Sequence, residues 1–294
     1  MIKKTLLFSN KCAITTANEQ LVIKSVNKNT TIPIEDIGYL VINHNEIFIS
    51  IPALNKLINN NCACIICNDK HLPNGMFLNL NSHHIQQEIF KFQISASTPL
   101  KKQLWQQTII EKINNQGFLL NKITGAENKF EYLASKVLSG DTSNMEAVAA
   151  KFYWKYFFDI NFKRERFGNY PNNILNYGYA ILRAATARAL SGSGLLNTLG
   201  IHHKSKYNAF ALADDIMEPF RPIVDETVHY IMQNYDEQEL TTEIKAEILT
   251  ILTRTVYFEN EKSPLMVALQ KTASSLQQCY SGKRKKIKYP KLWN

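Results

Sequence analysis

The spacing of hydrophobic and polar positions changes once along the chain, near residue 85. Before that point, short apolar runs alternate with turn-forming Asn, Ser and Lys residues, which predicts β-strands over residues 5–8, 21–26, 30–34, 38–42 and 62–67. One helix is predicted to interrupt these strands at residues 50–60, because Pro52 stands near its start and Ala53, Leu57 and Ile58 share one face.

After residue 85 the apolar residues recur at helical spacing, as in Ile89 and Phe92 or Ile109 and Ile113, and no convincing alternation returns before the end. The pattern therefore predicts an α+β protein. A small N-terminal β-sheet domain would occupy residues 1–84, and a larger all-α domain that carries any catalytic site would occupy residues 85–294.

Composition supports a folded chain without a membrane span. Hydrophobic residues make up 45% of the sequence, which excludes wholesale disorder. No run approaches the roughly 18 apolar residues that a membrane helix needs, and the first residues lack a secretory pattern. We expect a cytoplasmic protein with no membrane partner.

Five cysteines in 294 residues are too few and odd in number for a disulfide framework. Cys62, Cys64 and Cys67 are clustered, but structural zinc wants four ligands and no fourth cysteine is near. The cluster is interpreted as part of a buried strand.

The formal charge is +9, and the excess cations are concentrated at the C-terminus. The last fourteen residues contain six of them and no acid: Lys283, Arg284, Lys285, Lys286, Lys288 and Lys291. This basic tail favours an acidic partner, either nucleic-acid phosphates or an acidic protein surface. A merely solvated basic terminus is the alternative.

Familiar cofactor motifs are absent: the sequence has no phosphate-binding GxxxxGK[ST] loop, no GxGxxG after a strand, no GxSxG and no HExxH. ATP-driven and hydride-transfer chemistry are therefore not indicated. What stands out instead is polar residues within apolar helices. Glu146 follows the polar run that ends at Asn144 and falls in the first turn of a predicted helix, where it is either a dipole-stabilising carboxylate or a functional one.

A second polar cluster spans residues 202–218. If residues 209–217 are helical, Glu218 shares a face with either Asp215 (i, i+3) or Asp214 (i, i+4). The repulsion of three acids beside two histidines favours a bound divalent cation. Carboxylates with one imidazole suit Mg²⁺ or Mn²⁺ better than structural zinc. Spacing alone does not choose between His202 and His203, and both could be ordinary surface residues.

Cationic and aromatic residues surround these acids. Arginine and lysine bind phosphate oxygens, and aromatic faces stack on unpaired bases, although helical spacing makes most of the aromatics core residues. The cations are Arg164, Arg166, Arg183, Arg188, Lys204, Lys206 and Arg221.

Taken together, these residues resemble a known family, the CRISPR-associated integrase of the spacer-acquisition machinery, in the form that accompanies type II systems. The matching stretches follow the family's order along nearly the whole chain: residues 104–105, 112–116, 139–154, 175–183, 203–222, 264–270 and 272–276. The sheet domain matches more loosely.

The resemblance implies a metal and catalytic set of Glu146, His203 and Glu218. His203 is preferred over His202 because the family places its histidine fifteen residues before the last acid. Asp215 matches an acidic position one turn earlier, which supports the ligands or faces DNA. The same supporting or DNA-facing role is implied for Asn144, Arg183, Lys204 and Arg221.

The implied reaction is spacer integration, in which the 3′-hydroxyl of a captured DNA fragment attacks a phosphodiester of the CRISPR repeat with Mg²⁺ or Mn²⁺ as cofactor. Implied partners are prespacer DNA with 3′ ends, repeat DNA, a second copy of the chain bound through the β domain, and a smaller adaptation protein. Two such dimers would flank one dimer of the smaller protein, with the basic tail on that protein or on DNA. The type II effector nuclease is a further candidate partner.

Two other functions stay open at this point. A general metal-dependent DNA nuclease or a transposon-borne integrase would use the same residues on other DNA. A non-catalytic nucleic-acid-binding scaffold would use Glu146, His203 and Glu218 only structurally.

Overall fold

The computed structural model of the protein describes residues 3–26, 28–125, 129–158, 162–165, 168–258 and 261–294. Its N-terminal part forms eight strands and one helix: β1 (Lys4–Phe8), β2 (Cys12–Ala17), β3 (Gln20–Lys24), β4 (Asn29–Pro33), β5 (Ile37–Ile42), β6 (Ile47–Ile49), α1 (Ile51–Asn59), β7 (Ala63–Cys67) and β8 (Pro73–Phe77). The predicted helix among the strands is therefore present, and Ser50 caps it by accepting a hydrogen bond from the Ala53 backbone N–H.

These strands form two sheets in the described residues, with orders β1-β5-β7-β8 and β4-β3-β2-β6. In the first sheet β1, β5 and β7 are parallel, and β8 is antiparallel to β7. The central strand β5 is covered on both faces, and its Tyr39, Leu40 and Val41 are fully buried. A continuous apolar run such as this one is typical of a parallel strand that is packed on both sides.

The remainder of the described chain is mostly helical. Its helices are α2 (Gln86–Ile94), α3 (Thr98–Thr124), α4 (Phe130–Ser135), α5 (Met145–Phe157), α6 (Asn172–Gly192), α7 (Ala211–Met217), α8 (Arg221–Asn234), α9 (Thr242–Leu249) and α10 (Leu265–Tyr280). None of these helices has the length and apolar character required to cross a membrane, as far as the described residues extend. The α+β fold class is confirmed, whereas the domain boundary at residue 84 stays a prediction.

The expectation that no strand follows residue 85 is wrong. Strands β9 (Thr255–Phe258) and β10 (Glu261–Pro264) pair antiparallel, and the Tyr257 backbone also pairs with Lys291. Each strand has only four residues, too few for an alternating pattern to stand out beside helical segments.

One apolar core joins the helices to a face of the first sheet. Tyr39, Val41, Ala63 and Ile65 belong to the same buried cluster as the helical residues, and a smaller cluster around Ile14 fills the space inside the N-terminal part. The sheet packs on α6 and shares one apolar core with the helices that carry the site described below.

The cysteine cluster lies where the sequence predicts it. Cys64 and Cys67 are on β7 and Cys62 immediately precedes it; Cys62 and Cys64 are buried, Cys67 is partly buried, and all three are free thiols. Burial raises the pKa of the Cys67 thiol to about 11. The cluster is therefore structural.

The basic tail is not a free terminus, because its apolar residues pack back on the helical domain. Ile287 and Leu292 are buried, the Tyr289 hydroxyl lies 2.9 Å from Thr108 Oγ1, and the Trp293 indole donates to Glu226 at 2.9 Å. The exposed cations Lys283, Arg284, Lys285, Lys286 and Lys291 are thus presented from a packed segment.

Candidate active site

The first acid of the predicted site is placed by the start of α5. Asp141 accepts hydrogen bonds from the backbone N–H groups of Met145 at 2.9 Å and Glu146 at 3.1 Å. Asp141 therefore caps the helix, whereas Asn144, in the left-handed conformation (φ 53°), makes no side-chain capping bond. The polar run does begin the helix as predicted, and Glu146 lies in its first turn with its side chain about one-third exposed.

Asp215 holds the loop that carries the histidines. Its fully buried carboxylate accepts backbone N–H groups from Ile201 at 2.7 Å, His202 at 2.9 Å and His203 at 3.2 Å. A side chain at Gly200 would collide with this carboxylate, since an added Cβ would stand 2.7 Å from Asp215 Oδ2. Glycine is required here by that close approach.

The same carboxylate orients the catalytic histidine candidate. Nδ1 of His203 lies 2.5 Å from Asp215 Oδ1, so in the neutral ring the proton sits on Nδ1 and the lone pair on Nε2. The hydrogen bond to Asp215 raises the pKa of His203, with further increases from the charges of Glu218 and Asp214, while burial acts in the opposite direction. A carboxylate behind a histidine is the arrangement that fixes metal-ligating imidazoles.

His202 has a different role. Its ring stacks on Trp105 with centroids 4.2 Å apart and planes 5° from parallel. The structure therefore places the ring of His203, and not that of His202, against the Asp215 carboxylate.

Glu218 begins a 3₁₀ turn (Glu218–Phe220) between α7 and α8, and it is buried. Its Oε1 lies 2.9 Å from Nη2 of Arg221, and its Oε2 lies 2.7 Å from Nζ of Lys112. Burial by itself would raise the pKa of Glu218, but the charges of Arg221 and Lys112 outweigh burial and lower that pKa to about 2. Glu218 is ionised throughout the physiological pH range.

Lys112 is the residue whose role the sequence did not reveal. It lies on the buried face of α3, and its Nζ contacts Glu146 Oε1 at 2.5 Å as well as Glu218 Oε2 at 2.7 Å. Burial lowers the pKa of Lys112, but the two glutamates reverse that effect and raise it overall. The signal in the sequence was a lysine between buried apolar positions of a helix, with Ile109 three residues before it and Ile113 directly after it.

The remaining predicted residues divide into those near the site and those apart from it. Arg183 pairs with Asp214 at 2.6 Å, and Arg221 stacks over the Tyr179 ring at 4.5 Å while binding Glu218. Lys204 is exposed and lines, with His203, a cavity of about 480 Å³. Asn144 is exposed and makes none of the side-chain contacts described for the site. Arg166 lies outside the described residues.

The larger cavity, about 880 Å³, is elsewhere. It lies between α3, α4 and the C-terminal segment, and its lining includes Glu111, Glu131 and Trp293. Glu111 and Glu131 outnumber Lys291 in this lining, which disfavours phosphate binding there.

The chemistry of the predicted set suits a cation. Glu146 and Glu218 already share one positive charge, the Lys112 ammonium, and the buried Glu218 Oε2 receives no well-aligned hydrogen bond within the described structure. Two carboxylates with an oriented imidazole are a donor set that fits Mg²⁺ or Mn²⁺. As they stand, no three His, Cys, Asp or Glu side chains of the described residues are grouped closely enough to hold an ion, so metal binding would require a rearrangement.

Comparison with known proteins agrees with this architecture. Residues 5–259 match the family described as CRISPR associated protein Cas1. A relative from Neisseria meningitidis serogroup C (strain 8013), named CRISPR-associated endonuclease Cas1, is 38% identical over 297 residues, which cover 99% of this chain and 97% of the relative.

Solved structures share the fold at lower identity. A casposase bound to integration product superposes with a TM-score of 0.80 at 18% identity, covering 98% of this chain and 92% of the other. A Cas1 protein from Thermotoga maritima gives a TM-score of 0.76 at 16% identity, covering 95% and 97%. The Cas6-RT-Cas1–Cas2 complex gives 0.76 at 21% identity, covering 99% of this chain and 36% of the matched chain.

The matched family and the near full-length relative place the chain in the class of CRISPR-associated proteins. Within that class, it belongs to the Cas1 family. The resemblance seen in its motifs is therefore confirmed.

Proposed function

We propose that this Cas1 protein, an integrase and endonuclease of CRISPR adaptation, inserts captured DNA into the repeat array by a metal-dependent transesterification at Glu146, His203 and Glu218. The observation that carries the proposal is that Glu146 and Glu218, from separate elements, contact one buried ammonium, that of Lys112. Asp215 orients the His203 ring, and the charge of Glu218 helps to raise the pKa of that ring.

The reaction exchanges one phosphodiester for another. The 3′-hydroxyl of the incoming fragment attacks a phosphorus atom of the repeat, a P–O bond forms, the existing P–O bond breaks, and a new 3′-hydroxyl leaves on the repeat. Because bond types balance, no nucleotide energy source is needed, in agreement with the missing phosphate-binding loop.

Mg²⁺ or Mn²⁺ would be held by the two glutamates and Nε2 of His203, and its chemistry there is to stabilise negative charge on the reacting oxygens. Two neighbouring residues, Asp215 and Arg221, hold these ligands in position. Asp215 keeps the imidazole in the tautomer with a free Nε2, and Arg221 keeps Glu218 ionised and in place.

Phosphate binding is assigned to the exposed surface beside His203. Lys101, Lys204, Lys206 and Tyr207 line the cavity next to the histidine, and Tyr207 is 85% exposed with Nζ of Lys206 4.9 Å from its ring centre. Lysines that track a DNA backbone, with an aromatic face for an unpaired base, suit a strand that ends near the site.

The proposed assembly pairs two copies of the chain and adds the second adaptation protein, Cas2. Support comes from the similar fold in a Cas6-RT-Cas1–Cas2 complex and from exposed apolar residues of the N-terminal part, Phe48 at 69% and Ile51 at 67%. Two dimers around one Cas2 dimer would hold two sites at a fixed distance for both ends of one fragment. The type II effector nuclease is proposed as a further partner during capture.

A half-site integration assay tests the function. It uses supercoiled DNA with a repeat, a prespacer with 3′ ends, purified Cas2 and Mn²⁺ or Mg²⁺. His203→Ala should lower the integration rate roughly 10²-fold or more, as expected when one group that acts on the transition state is lost. His202→Ala is the matched control and should keep most of the activity, because its ring stacks on Trp105.

The same assay separates the other functions. Integration without preference for the repeat would indicate a transposon-type integrase, and cleavage without joining would indicate a general nuclease. Equal integration by wild type and His203→Ala would contradict a catalytic role of His203. DNA binding without any integration by the wild type would indicate a DNA-binding scaffold.

A further inference from the structure

A lysine ammonium lies between the two glutamates proposed as metal ligands. Lys112 is buried on α3, and its Nζ is 2.5 Å from Glu146 Oε1 and 2.7 Å from Glu218 Oε2. The inference drawn from this contact rests on the proposed function, since it concerns the metal that the glutamates would hold.

The two glutamates depend on Lys112 to different degrees. Glu218 has a second cation, Arg221, at 2.9 Å, whereas the ion pair of Glu146 among the described residues is the one with Lys112. Without Lys112, the carboxylates of Glu146 and Glu218 would face each other with no cation between them. Arg221 would still neutralise Glu218, through its other oxygen, Oε1. The lysine therefore stabilises the metal-free arrangement against repulsion.

The same contact opposes a metal. An ion bound to both glutamates would stand within a few ångströms of the ammonium, where like charges in a buried site repel strongly. A lysine has a flexible four-carbon chain, so its charged end can turn away when another cation takes the carboxylates.

We propose that Lys112 is a placeholder cation. It keeps Glu146 and Glu218 paired and in position in the metal-free protein, and it is displaced when Mg²⁺ or Mn²⁺ binds. Lys112 is thus a positioning residue that makes the site stable when empty and lowers its affinity for the metal.

Mn²⁺ binding to the full-length protein, followed by electron paramagnetic resonance and calorimetry, tests this role. Lys112→Met removes the charge but keeps an apolar chain of similar length. We expect it to bind Mn²⁺ about tenfold or more tightly than wild type, to melt at a lower temperature without metal, and to gain more thermal stability on adding Mn²⁺.

Lys122→Met is the matched control. Lys122 is on the same helix, half exposed, and pairs with Glu226 at 2.7 Å, away from the site. The Lys122→Met variant should bind Mn²⁺ with the wild-type affinity. An equal or weaker affinity of Lys112→Met beside a measurable wild-type affinity would overturn the placeholder role alone. Absence of Mn²⁺ binding in both proteins would overturn the metal of the proposed function as well.

A second pair of variants keeps the test valid if Lys112→Met alone fails to fold. Glu146→Gln removes one carboxylate. The double variant Lys112→Met with Glu146→Gln also removes the ammonium, and its remaining acid, Glu218, is still paired with Arg221. The double variant should bind Mn²⁺ more tightly than Glu146→Gln alone. An affinity that is no tighter would contradict the proposal.

Discussion

Single residues around His203 show how one buried carboxylate organises a site. Asp215 accepts three backbone N–H groups and the imidazole, so it sets both the path of the loop and the direction of the ring. Asp214 is adjacent but has other partners, Arg183 and Asn208. Two neighbouring acids in one helix thus serve different parts of the structure.

Asp215→Asn should weaken Mn²⁺ binding and integration about 10- to 100-fold, because an amide would turn an N–H toward backbone donors and release the His203 ring. Mn²⁺ affinity and half-site integration measure the effect. Asp214→Asn is the neighbouring control and should have the smaller effect on both. Similar losses in the two variants would contradict the specific role of Asp215.

Asp225 gives a pH prediction at a residue outside the proposed ligand set. Burial raises its pKa to about 6, although hydrogen bonds from the Tyr179 and Tyr153 hydroxyls and the charge of Arg221 lower it in part. Between about pH 4 and 6, the folded state holds a proton that the unfolded chain has released, so the free energy of unfolding falls as the pH rises.

In Asp225→Asn, this fall should be absent. Relative to wild type, the variant should gain up to about 3 kcal/mol of stability between pH 4 and pH 7, which urea unfolding at several pH values measures. The comparison uses the difference between the two proteins, since other acids titrate equally in both. Parallel pH profiles would show that Asp225 has an ordinary pKa.

At the scale of elements, the start of α5 carries Glu146 to the site. The sequence predicted that the polar run ending at Asn144 begins this helix, and within that run Asp141 accepts the free backbone N–H groups. Asp141 and Asn144 both have a left-handed backbone, with φ 49° and φ 53°.

Asp141→Ala should destabilise the protein by about 1–2 kcal/mol and loosen the first turn of α5. Because Glu146 lies in that turn, the integration rate should fall as well. Thermal unfolding and the integration assay report the two effects. Asn144→Gly is the control, since glycine accepts φ 53° and no side-chain cap is lost, and its stability should stay near wild type. A larger loss for Asn144→Gly than for Asp141→Ala would reverse the assignment of the cap.

Elements also show the limits of periodicity. The division into strands and then helices follows from the change of apolar spacing, and α1 was found from Pro52 and its apolar face. The β9–β10 hairpin was missed because its strands are four residues long. The packing of the C-terminal segment was missed because six cations dominate its sequence while its buried Ile287 and Leu292 are scattered.

At the scale of the whole molecule, the N-terminal part presents an apolar surface. Phe48 lies on β6, at the edge of its sheet, and Ile51 begins α1 beside it. An unpaired strand edge with exposed apolar side chains favours association with another copy.

Phe48→Glu should therefore convert the proposed dimer into a monomer at micromolar concentration without loss of secondary structure. Light scattering gives the mass, and far-ultraviolet circular dichroism checks the fold. Leu80→Glu, at a position 92% exposed between β8 and α2, should stay dimeric. A Phe48→Glu variant with undiminished dimer mass would move the interface to another surface.

The sequence by itself determined the α+β fold class with strands before helices, the family, and the identity of Glu146, His203 and Glu218 as candidates. These depend on local spacing and on motifs that are read along the chain. It could not determine what neutralises the acids, and a divalent metal was expected where the structure places Lys112 and Arg221.

Tertiary structure decided which charges meet. Lys112 on α3, Glu146 on α5 and Glu218 after α7 come together only when these elements pack around one core. It also gives the two histidines different surroundings, because the ring of His202 stacks on Trp105 while that of His203 reaches Asp215. The physical reason is that contacts between distant segments depend on packing in three dimensions, which the spacing of residues along a single helix or strand does not encode.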